Sequence, residues 1–292
     1  MKKIGALEAG GTKMVCAVGT ADGQIIDQIS IPTAEPEKVL PAIQTYFADH
    51  GIDALGIGAF GPTGVNPHSP DYGFVLDTPK PGWRGYDFLG TMQAALHIPM
   101  GYDTDVNAAC LGEVTFGCAR DLDVVVYETI GTGIGAGVWL DGHLLHGALH
   151  PEAGHFLVEP APEDSFPGVC PTHGHCLEGL ASGPAIEKRW GRKAAELADD
   201  PRVWELESTY LAQAMAIYIL CYSPQKIILG GGVMKQEQLF PLIRKKTLDY
   251  LGGYLRIPEL EAMDRYIVPA SLKGRQGILG CLELGRRALS QS

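Results

Sequence analysis

Residues 4–23 read IGALEAGGTKMVCAVGTADG, and residues 124–142 read VVVYETIGTGIGAGVWLDG. Each stretch contains a β-type run, a glycine-rich turn and a second β-type run, and each ends in Asp-Gly, which is the pattern of an antiparallel hairpin. Gly-Gly-Thr at 10–12 aligns with Ile-Gly-Thr at 130–132. The two stretches are therefore either an internal repeat or two unrelated hairpins.

Helical and strand-like segments alternate in the rest of the chain. Helices are predicted at 36–50, 86–97, 107–116, 184–191, 204–222 and 276–289, and buried strands at 54–60, 100–103 and 226–229. Residues 61–84 are rich in Gly, Pro, Asp and Ser, and their length favours a functional loop over a simple connector. If the hairpins are a repeat, the chain forms two similar α/β lobes whose glycine-rich turns face a ligand cleft.

Composition excludes several classes of protein. A chain of 292 residues predicts two lobes, and no apolar run reaches the about 18 residues that span a bilayer. The N-terminal segment meets Glu8 and paired glycines soon after its lysines, which no signal peptide does, so we expect a cytoplasmic protein. A net charge of −11 without a basic block argues against nucleic acid as a partner.

Three glycine-rich turns offer backbone N–H groups to an anion. GGTK at 10–13 adds an ammonium group, IGTGIG at 130–135 adds a hydroxyl group, and GGG at 230–232 follows an apolar strand and leads into a helix. None has the spacing of a Walker P-loop, and no G-x-G-x-x-G follows the first strand. The turns therefore favour a phosphate or nucleotide site that is neither a P-loop nor a Rossmann site.

Asp103 and Asp105 lie where a short strand ends and a helix begins, in YDTDVNAACLGE. Asp105 suits two roles. It can cap the helix, or it can take the proton of a sugar hydroxyl group that attacks the γ-phosphorus of ATP. In the second role the remaining catalysis is electrostatic and comes from Mg²⁺ and the loop amides.

The stretch CPTHGHCLEG, which begins at Cys170, has three explanations: a disulfide, a metal site or a loop with incidental cysteines and histidines. Seven thinly spread cysteines argue against a disulfide. Cys170, His173 and Cys176, together with His155, supply a tetrahedral Zn²⁺ set, and a complete set of four ligands is structural rather than catalytic. His175 is the spare histidine, because adjacent residues 175 and 176 would strain to reach one ion together.

Six segments, in order along almost the whole chain, resemble motifs of the bacterial sugar kinases of the ROK type (repressor, open reading frame, kinase), and of its fructokinase branch in particular. The segments are EAGGTK at 8–13 and TIGTGIGAG at 129–137 for phosphate, DVNAACLGE at 105–113 for catalysis, HPEAGH at 150–155 for sugar and zinc, CPTHGHCLEG at 170–179 for zinc, and ILGGGV at 228–233 for adenosine.

The resemblance implies an actin-like, ribonuclease H-like duplicated α/β fold of two lobes with the ligand cleft between them. We expect one lobe at 1–117, joined by the C-terminal helix at 275–292, and a second lobe with the zinc loop at 118–274. The implied activity is ATP-dependent phosphorylation of a hexose, D-fructose to fructose 6-phosphate, with Mg²⁺ and structural Zn²⁺. The implied assembly is a homodimer.

Residue-for-residue transfer assigns the site. Asp105 becomes the general base, and the zinc ligands fall on His155, Cys170, His173 and Cys176. The sugar-binding positions are Thr104, Asp105, Glu152, His155 and Glu178. The nucleotide and phosphate positions are Gly10, Gly11, Thr12, Lys13, Thr132, Gly133, Pro184, Gly231, Gly232, Val233, Met234 and Lys235.

Three positions depart from the wider family. Glu8 stands where an Asp is usual, Thr104 replaces an Asn that commonly contacts the sugar, and His173 replaces a cysteine, as in the fructokinase branch. Each departure points away from a glucokinase. Trp83, in the long loop, either borders the sugar pocket or anchors the loop in the core.

Other functions need other features. A kinase for glucose or mannose would use the same motifs. A sugar-sensing repressor would need an N-terminal helix-turn-helix, for which no room is expected before a strand that begins at Lys3. A non-catalytic sugar-binding or actin-like assembly module would need neither the base nor the zinc loop.

Overall fold

The computed structural model of the protein describes residues 2–291. Its chain forms two compact units: unit 1 contains the chain up to Asp121, His143–Pro151 and the chain from Ser271, and unit 2 contains Leu122–Gly142 and Glu152–Ala270. This division differs from the expected lobes by four residues at 118–121 and at 271–274, and by the whole segment 143–151. That segment belongs to unit 1, because its histidines bond to unit 1 side chains and backbone.

The strands, in chain order, are β1 (Ile4–Ala9), β2 (Lys13–Gly19), β3 (Ile25–Pro32), β4 (Ala54–Ala59), β5 (Phe74–Val75), β6 (Tyr86–Asp87), β7 (Met100–Thr104), β8 (Val124–Ile130), β9 (Ile134–Leu140), β10 (His143–Leu144), β11 (Lys226–Gly230) and β12 (Ile267–Pro269). The α-helices are α1 (Pro36–His50), α2 (Phe88–Leu96), α3 (Asp105–Phe116), α4 (Leu177–Ala181), α5 (Gly183–Trp190), α6 (Pro201–Tyr222), α7 (Leu239–Leu251), α8 (Pro258–Glu261), α9 (Met263–Tyr266) and α10 (Gln276–Gln291).

The two units repeat one strand arrangement. In unit 1 the strands run in the order β2-β1-β4-β7, with β3 outside β2, and in unit 2 they run β9-β8-β11-β12. In each unit the hairpin is antiparallel, and the next two strands are parallel to its first strand. The hairpins are therefore an internal repeat, and the alternative of two unrelated hairpins is wrong.

Helix α1 shows why the sequence folds locally as predicted. Proline stands at its start, where the missing N–H costs no hydrogen bond, and Gly51 ends it in the left-handed conformation, at φ 59°. Val39, Ile43 and Phe47 recur every four residues and lie in the core beside the sheet of unit 1. The amphipathic period thus fixes which face of α1 is buried.

Helices α3 and α10 approach each other closely through small residues. A Cβ atom on Gly280 would collide with the carbonyl oxygen of Ala108, and one on Gly112 would collide with that of Gln276. Side chains at either glycine would force the helices apart. The start of α3, which carries Asp105, is therefore held against a rigid neighbour.

The long loop is anchored by Trp83. Its side chain is 1% exposed, and its indole N–H donates to the carbonyl oxygen of Ala34 at 2.8 Å. The rings of Phe60 and Phe88 pack edge-on against it. Trp83 is therefore a packing residue, which answers the alternative left open by the sequence. Among residues 2–291, no helix is both long enough and apolar enough to cross a membrane.

Candidate active site and metal centre

Asp105 is the first residue of α3, but it does not cap the helix. The cap is the hydroxyl group of Thr104, which accepts a hydrogen bond from the N–H of Asn107 at 3.0 Å. One carboxylate oxygen of Asp105 accepts from the N–H of Val106 at 2.9 Å. The helix start is thus satisfied without the side chain of Asp105, which is available for chemistry.

The electrostatic surroundings of Asp105 suit a base. Burial, and then the negative charge of Glu8, raise the pKa of Asp105 to about 7, against the opposing positive charge of Lys80. Burial also raises the pKa of Glu8, against the positive charge of Lys13. A carboxyl group with a pKa near neutrality can both accept and release a proton at physiological pH.

The turn between β1 and β2 is an exposed anion-binding candidate in unit 1. The N–H of Gly10 donates to the carbonyl oxygen of Lys13 at 3.0 Å, and the hydroxyl group of Thr33 donates to the carbonyl oxygen of Gly10 at 2.8 Å. Gly11, Thr12 and Lys13 lie exposed at the tip. The turn is therefore fixed at its base and open at its tip.

The predicted nucleotide residues of unit 2 come from loops that contact one another. The N–H of Gly183 donates to the carbonyl oxygen of Gly131 at 2.7 Å, so the start of α5 lies against the β8–β9 turn. Gly231 has φ +92°, and a Cβ atom there would collide with the backbone of Ile130. This places in one region of unit 2 the residues Thr132, Gly133, Pro184, Gly231, Gly232, Val233, Met234 and Lys235.

The four predicted zinc ligands form a compact cluster in unit 2. Their ligand atoms lie within 4.8 Å of one another. Cys170 Sγ is 3.8 Å from His155 Nδ1 and 3.7 Å from His173 Nδ1, and Cys176 Sγ is 3.6 Å from His155 Nδ1. Zinc bonds of about 2.3 Å to sulfur and about 2.0–2.1 Å to nitrogen at tetrahedral angles require S–N separations of roughly 3.6 Å. The donor set and its spacing therefore fit Zn²⁺.

Backbone N–H groups donate to both thiol groups of the cluster. The N–H of His173 donates to Cys170 Sγ at 3.5 Å, and the N–H of Gly179 donates to Cys176 Sγ at 3.4 Å, where Cys176 caps α4. Burial nevertheless raises the pKa of the Cys176 thiol to about 11, and ligation of a metal requires the thiol to lose its proton. His175 is exposed and lies outside the cluster, in agreement with its assignment as the spare histidine.

His155 has one ring nitrogen toward the thiols and the other toward two carboxylates. Its Nε2 is 3.9 Å from a carboxylate oxygen of Glu152 and 4.0 Å from one of Glu178. The other oxygen of Glu178 accepts from the N–H of Ile134 at 2.9 Å. The three predicted sugar-binding residues of unit 2 are thus neighbours, and the two of unit 1, Thr104 and Asp105, are adjacent in the chain.

A polar cluster at the end of β7 has no signal in the sequence. Asp103 accepts from His146 Nε2 at 2.9 Å and from the side-chain amide of Asn107 at 2.6 Å. The hydrogen bond to Asp103 raises the pKa of His146. His146 is 43 residues from Asp103 in the chain, in a segment whose pattern predicts no contact, so only the fold reveals the pair.

Comparison with known proteins agrees with these motifs. The ROK family model matches residues 4–288. A putative fructokinase from Bacillus subtilis (strain 168) is 52% identical over 287 residues, covering 98% of this chain and 96% of the relative. A fructokinase from Pediococcus pentosaceus is 49% identical over 289 residues, covering 99% of each chain.

The fold has counterparts among solved structures. The ROK hexokinase from Thermus thermophilus matches with a TM-score of 0.81 and 25% identity, covering 99% of this chain and 100% of that chain. The likeness confirms the predicted fold class, an actin-like α/β fold of two lobes. Because the family model spans nearly the whole sequence and the relatives match at about half identity, the chain belongs to the ROK family.

Proposed function

We propose that the protein is an ATP-dependent sugar kinase that converts D-fructose and ATP to fructose 6-phosphate and ADP. The observation that carries this proposal is Asp105, a half-buried carboxyl group that its helix does not need for capping and whose pKa is raised to about 7. The full-length relatives that bear the name fructokinase support fructose as the sugar.

The reaction needs one proton acceptor. The carboxylate of Asp105 takes the proton of the sugar hydroxyl group while that oxygen forms a bond to the γ-phosphorus of ATP. The bond from the γ-phosphorus to its bridging oxygen breaks, and the electron pair leaves on ADP. Mg²⁺, when bound with ATP, supplies neutralisation of the phosphate charge. The remaining contribution of the chain is to position the reactants and to stabilise charge.

Each glycine-rich turn has a place in this proposal. Gly10, Gly11, Thr12 and Lys13 bind the phosphoryl group in transit with backbone N–H groups and one ammonium group. The hydroxyl group of Thr132 and the N–H of Gly133 bind the other phosphates. The adenosine lies against Pro184 and the segment 231–235, because the start of α5 and the turn that follows β11 both contact the β8–β9 turn.

Within unit 2, the proposed sugar-binding groups accept hydroxyl hydrogens of the sugar. Glu152 and Glu178 flank His155, and the bond from the N–H of Ile134 fixes Glu178. Within unit 1, the proposed sugar-binding residues are Thr104 and Asp105, and the hydroxyl group of Thr104 already accepts a helix N–H. His155, Cys170, His173 and Cys176 would hold Zn²⁺, and an ion with four protein ligands would order these groups without taking part in the chemistry.

The proposal includes a cytoplasmic location and a homodimer. A reducing compartment keeps cysteine ligands as thiols and supplies ATP. Analytical ultracentrifugation at micromolar concentration tests the assembly, and a mass of one chain would contradict it.

The substrate is tested by measuring ADP release with fructose, glucose, mannose and N-acetylglucosamine. We expect the highest kcat/KM for fructose, because Thr104 replaces the residue that commonly contacts glucose and because the zinc loop has the fructokinase form. A value for glucose equal to or above that for fructose would contradict the sugar but keep the kinase. Absence of ADP release with every sugar would contradict the kinase itself.

The pH dependence follows from the raised pKa of Asp105. The ionised carboxylate is the active form, so kcat/KM for fructose should rise with pH and reach half its plateau at about pH 7. The measurement is initial rates from pH 5 to 9 at saturating MgATP and low fructose. A profile that stays flat down to pH 5 would mean that Asp105 titrates like an ordinary carboxyl group.

A further inference from the structure

Lys80 places a positive charge directly over the first phosphate turn. Its ammonium nitrogen lies 3.2 Å from the position that a Cβ atom on Gly11 would occupy. It also lies 4.8 Å from the ring centroid of Phe60, so the ammonium group contacts the face of that ring. Gly11 is exposed at the tip of that turn, and an anion bound there would meet the ammonium group.

The loop holds Lys80 in this position. The N–H of Lys80 donates to the hydroxyl group of the buried Thr78 at 3.4 Å, and its carbonyl oxygen accepts from the N–H of Trp83 at 3.2 Å. Trp83 is fixed in the core by its indole contacts. The loop is therefore anchored on both sides of Lys80, and this anchoring fixes the position of the ammonium group.

Among residues 2–291, no carboxylate forms a direct ion pair with Lys80. Arg84, four residues along the same loop, is paired with Asp77 at 2.8 Å on the surface. The two cations of the loop thus differ, because one is neutralised and the other remains available for a ligand.

The charge of Lys80 also reaches Asp105. Burial and the charged Glu8 on β1 raise the pKa of this carboxyl group, whereas the backbone N–H groups of Val106 and Asp105, and then the charged Lys80, lower it. Cys281 on α10 is nearby, and burial keeps its thiol protonated by raising its pKa. Lys80 is therefore the cation that offsets the negative charge of Glu8 at the base.

We propose that Lys80 is a catalytic residue whose ammonium group contacts the phosphoryl group as it passes from ATP to the sugar over the Gly10–Lys13 turn. The inference rests on the proposed kinase function and on that turn as the phosphoryl site. Negative charge spreads over the three equatorial oxygens of the phosphoryl group in the transition state. An ammonium group fixed beside those oxygens stabilises the transition state more than the ground state, so its effect falls on kcat.

The variant that tests this role is Lys80→Met, which keeps an unbranched stem over Phe60 and removes the charge. We expect kcat to fall about 10²- to 10³-fold, the cost of removing one fixed donor at a developing anion, with the KM for fructose within a few-fold of the wild type. Lys80→Arg should recover part of the loss. The acid limb of the kcat/KM profile of Lys80→Met should move to higher pH, because the carboxylate of Asp105 loses a neighbouring cation.

The matched control is Arg84→Met, which makes the same substitution in the same loop at a surface ion pair, and its kcat should equal that of the wild type. If Lys80→Met lowers the melting temperature, Lys80→Gln repeats the test with a polar end group. A folded Lys80 variant with wild-type kcat and an unmoved acid limb would overturn the proposal. Two other outcomes have different signatures. If the kinase assignment is wrong, the wild type releases no ADP with any sugar, and if Asp105 is not the general base, the Asp105→Asn variant remains active.

Discussion

Asp105→Asn should lower kcat for sugar phosphorylation by about 10²- to 10⁴-fold, the usual cost of losing a general base. The asparagine side chain keeps the size of aspartate and can still accept from the N–H of Val106, but it accepts no proton at neutral pH. The helix cap remains, because the hydroxyl group of Thr104 provides it. Steady-state ADP release at saturating fructose and MgATP gives the ratio.

The same substitution should not destabilise the protein at neutral or alkaline pH. Burial raises the pKa of Asp105 to about 7, above the value of about 4 in an unfolded chain. The stability from this group is therefore complete below about pH 4 and is lost as the pH rises through about 7. Asparagine carries no charge, so the melting temperature of the variant at pH 8 should equal or exceed that of the wild type, and the gain should shrink at pH 5.

Asp87→Asn is the matched control for this result. Asp87 caps α2 in the same unit by accepting from the N–H of Gly90 at 2.8 Å, and it is exposed. Asparagine caps helices about as well as aspartate, so both turnover and melting temperature should remain those of the wild type. Near-wild-type turnover in a folded Asp105→Asn variant would contradict the base role and leave Asp105 as a first-turn residue only.

Local patterns made much of the fold predictable. The β1–β2 hairpin and the β8–β9 hairpin follow from alternating apolar runs that end at glycine-rich turns, and α1 was predicted with the bounds it has. The shared strand order of the two units was implied by the aligned turns, because equivalent hairpins begin equivalent sheets. These features depend on neighbouring residues, which a sequence displays directly.

Features that depend on side-chain geometry could not be predicted in the same way. Thr104 and Asp105 are both residue types that cap helices, and only the backbone angles decide that Thr104 does so. Residues 143–151 belong to unit 1, where His146 pairs with Asp103, and no local pattern in the sequence predicts this contact. The sequence predicts that Lys80 lies in a long loop. It does not predict that Lys80 lies over Gly11, because that position depends on how Trp83 anchors the loop.

Cys176→Ser should lower the zinc content, the melting temperature and the turnover together. Cys176 is fully buried. Its Sγ atom belongs to the ligand cluster, and the residue also caps the N-terminus of α4. Serine caps helices well, so the substitution keeps the cap and removes the thiolate. Since the unfolded chain presents no ordered ligand set, metal bound to the folded site stabilises that state, and its loss should appear directly in thermal unfolding. Turnover should fall because two proposed sugar-binding residues would lose their support. Glu178 lies two residues beyond Cys176, and His155 is a ligand of the same metal.

Two controls separate ligand loss from general damage. His175→Ala removes an exposed histidine outside the cluster, and Cys221→Ser makes the same change at an exposed cysteine on α6, so both should retain the metal and the wild-type melting temperature. The decisive measurement is elemental analysis of protein never exposed to chelator, in which a filled site gives about one zinc per chain. A wild type with substantially less zinc, or a Cys176→Ser variant that keeps it, would mean that CPTHGHCLEG is a loop with incidental cysteines and histidines. Glu178 would then be held by the N–H of Ile134 and by α4 alone, without a metal to order the neighbouring His155.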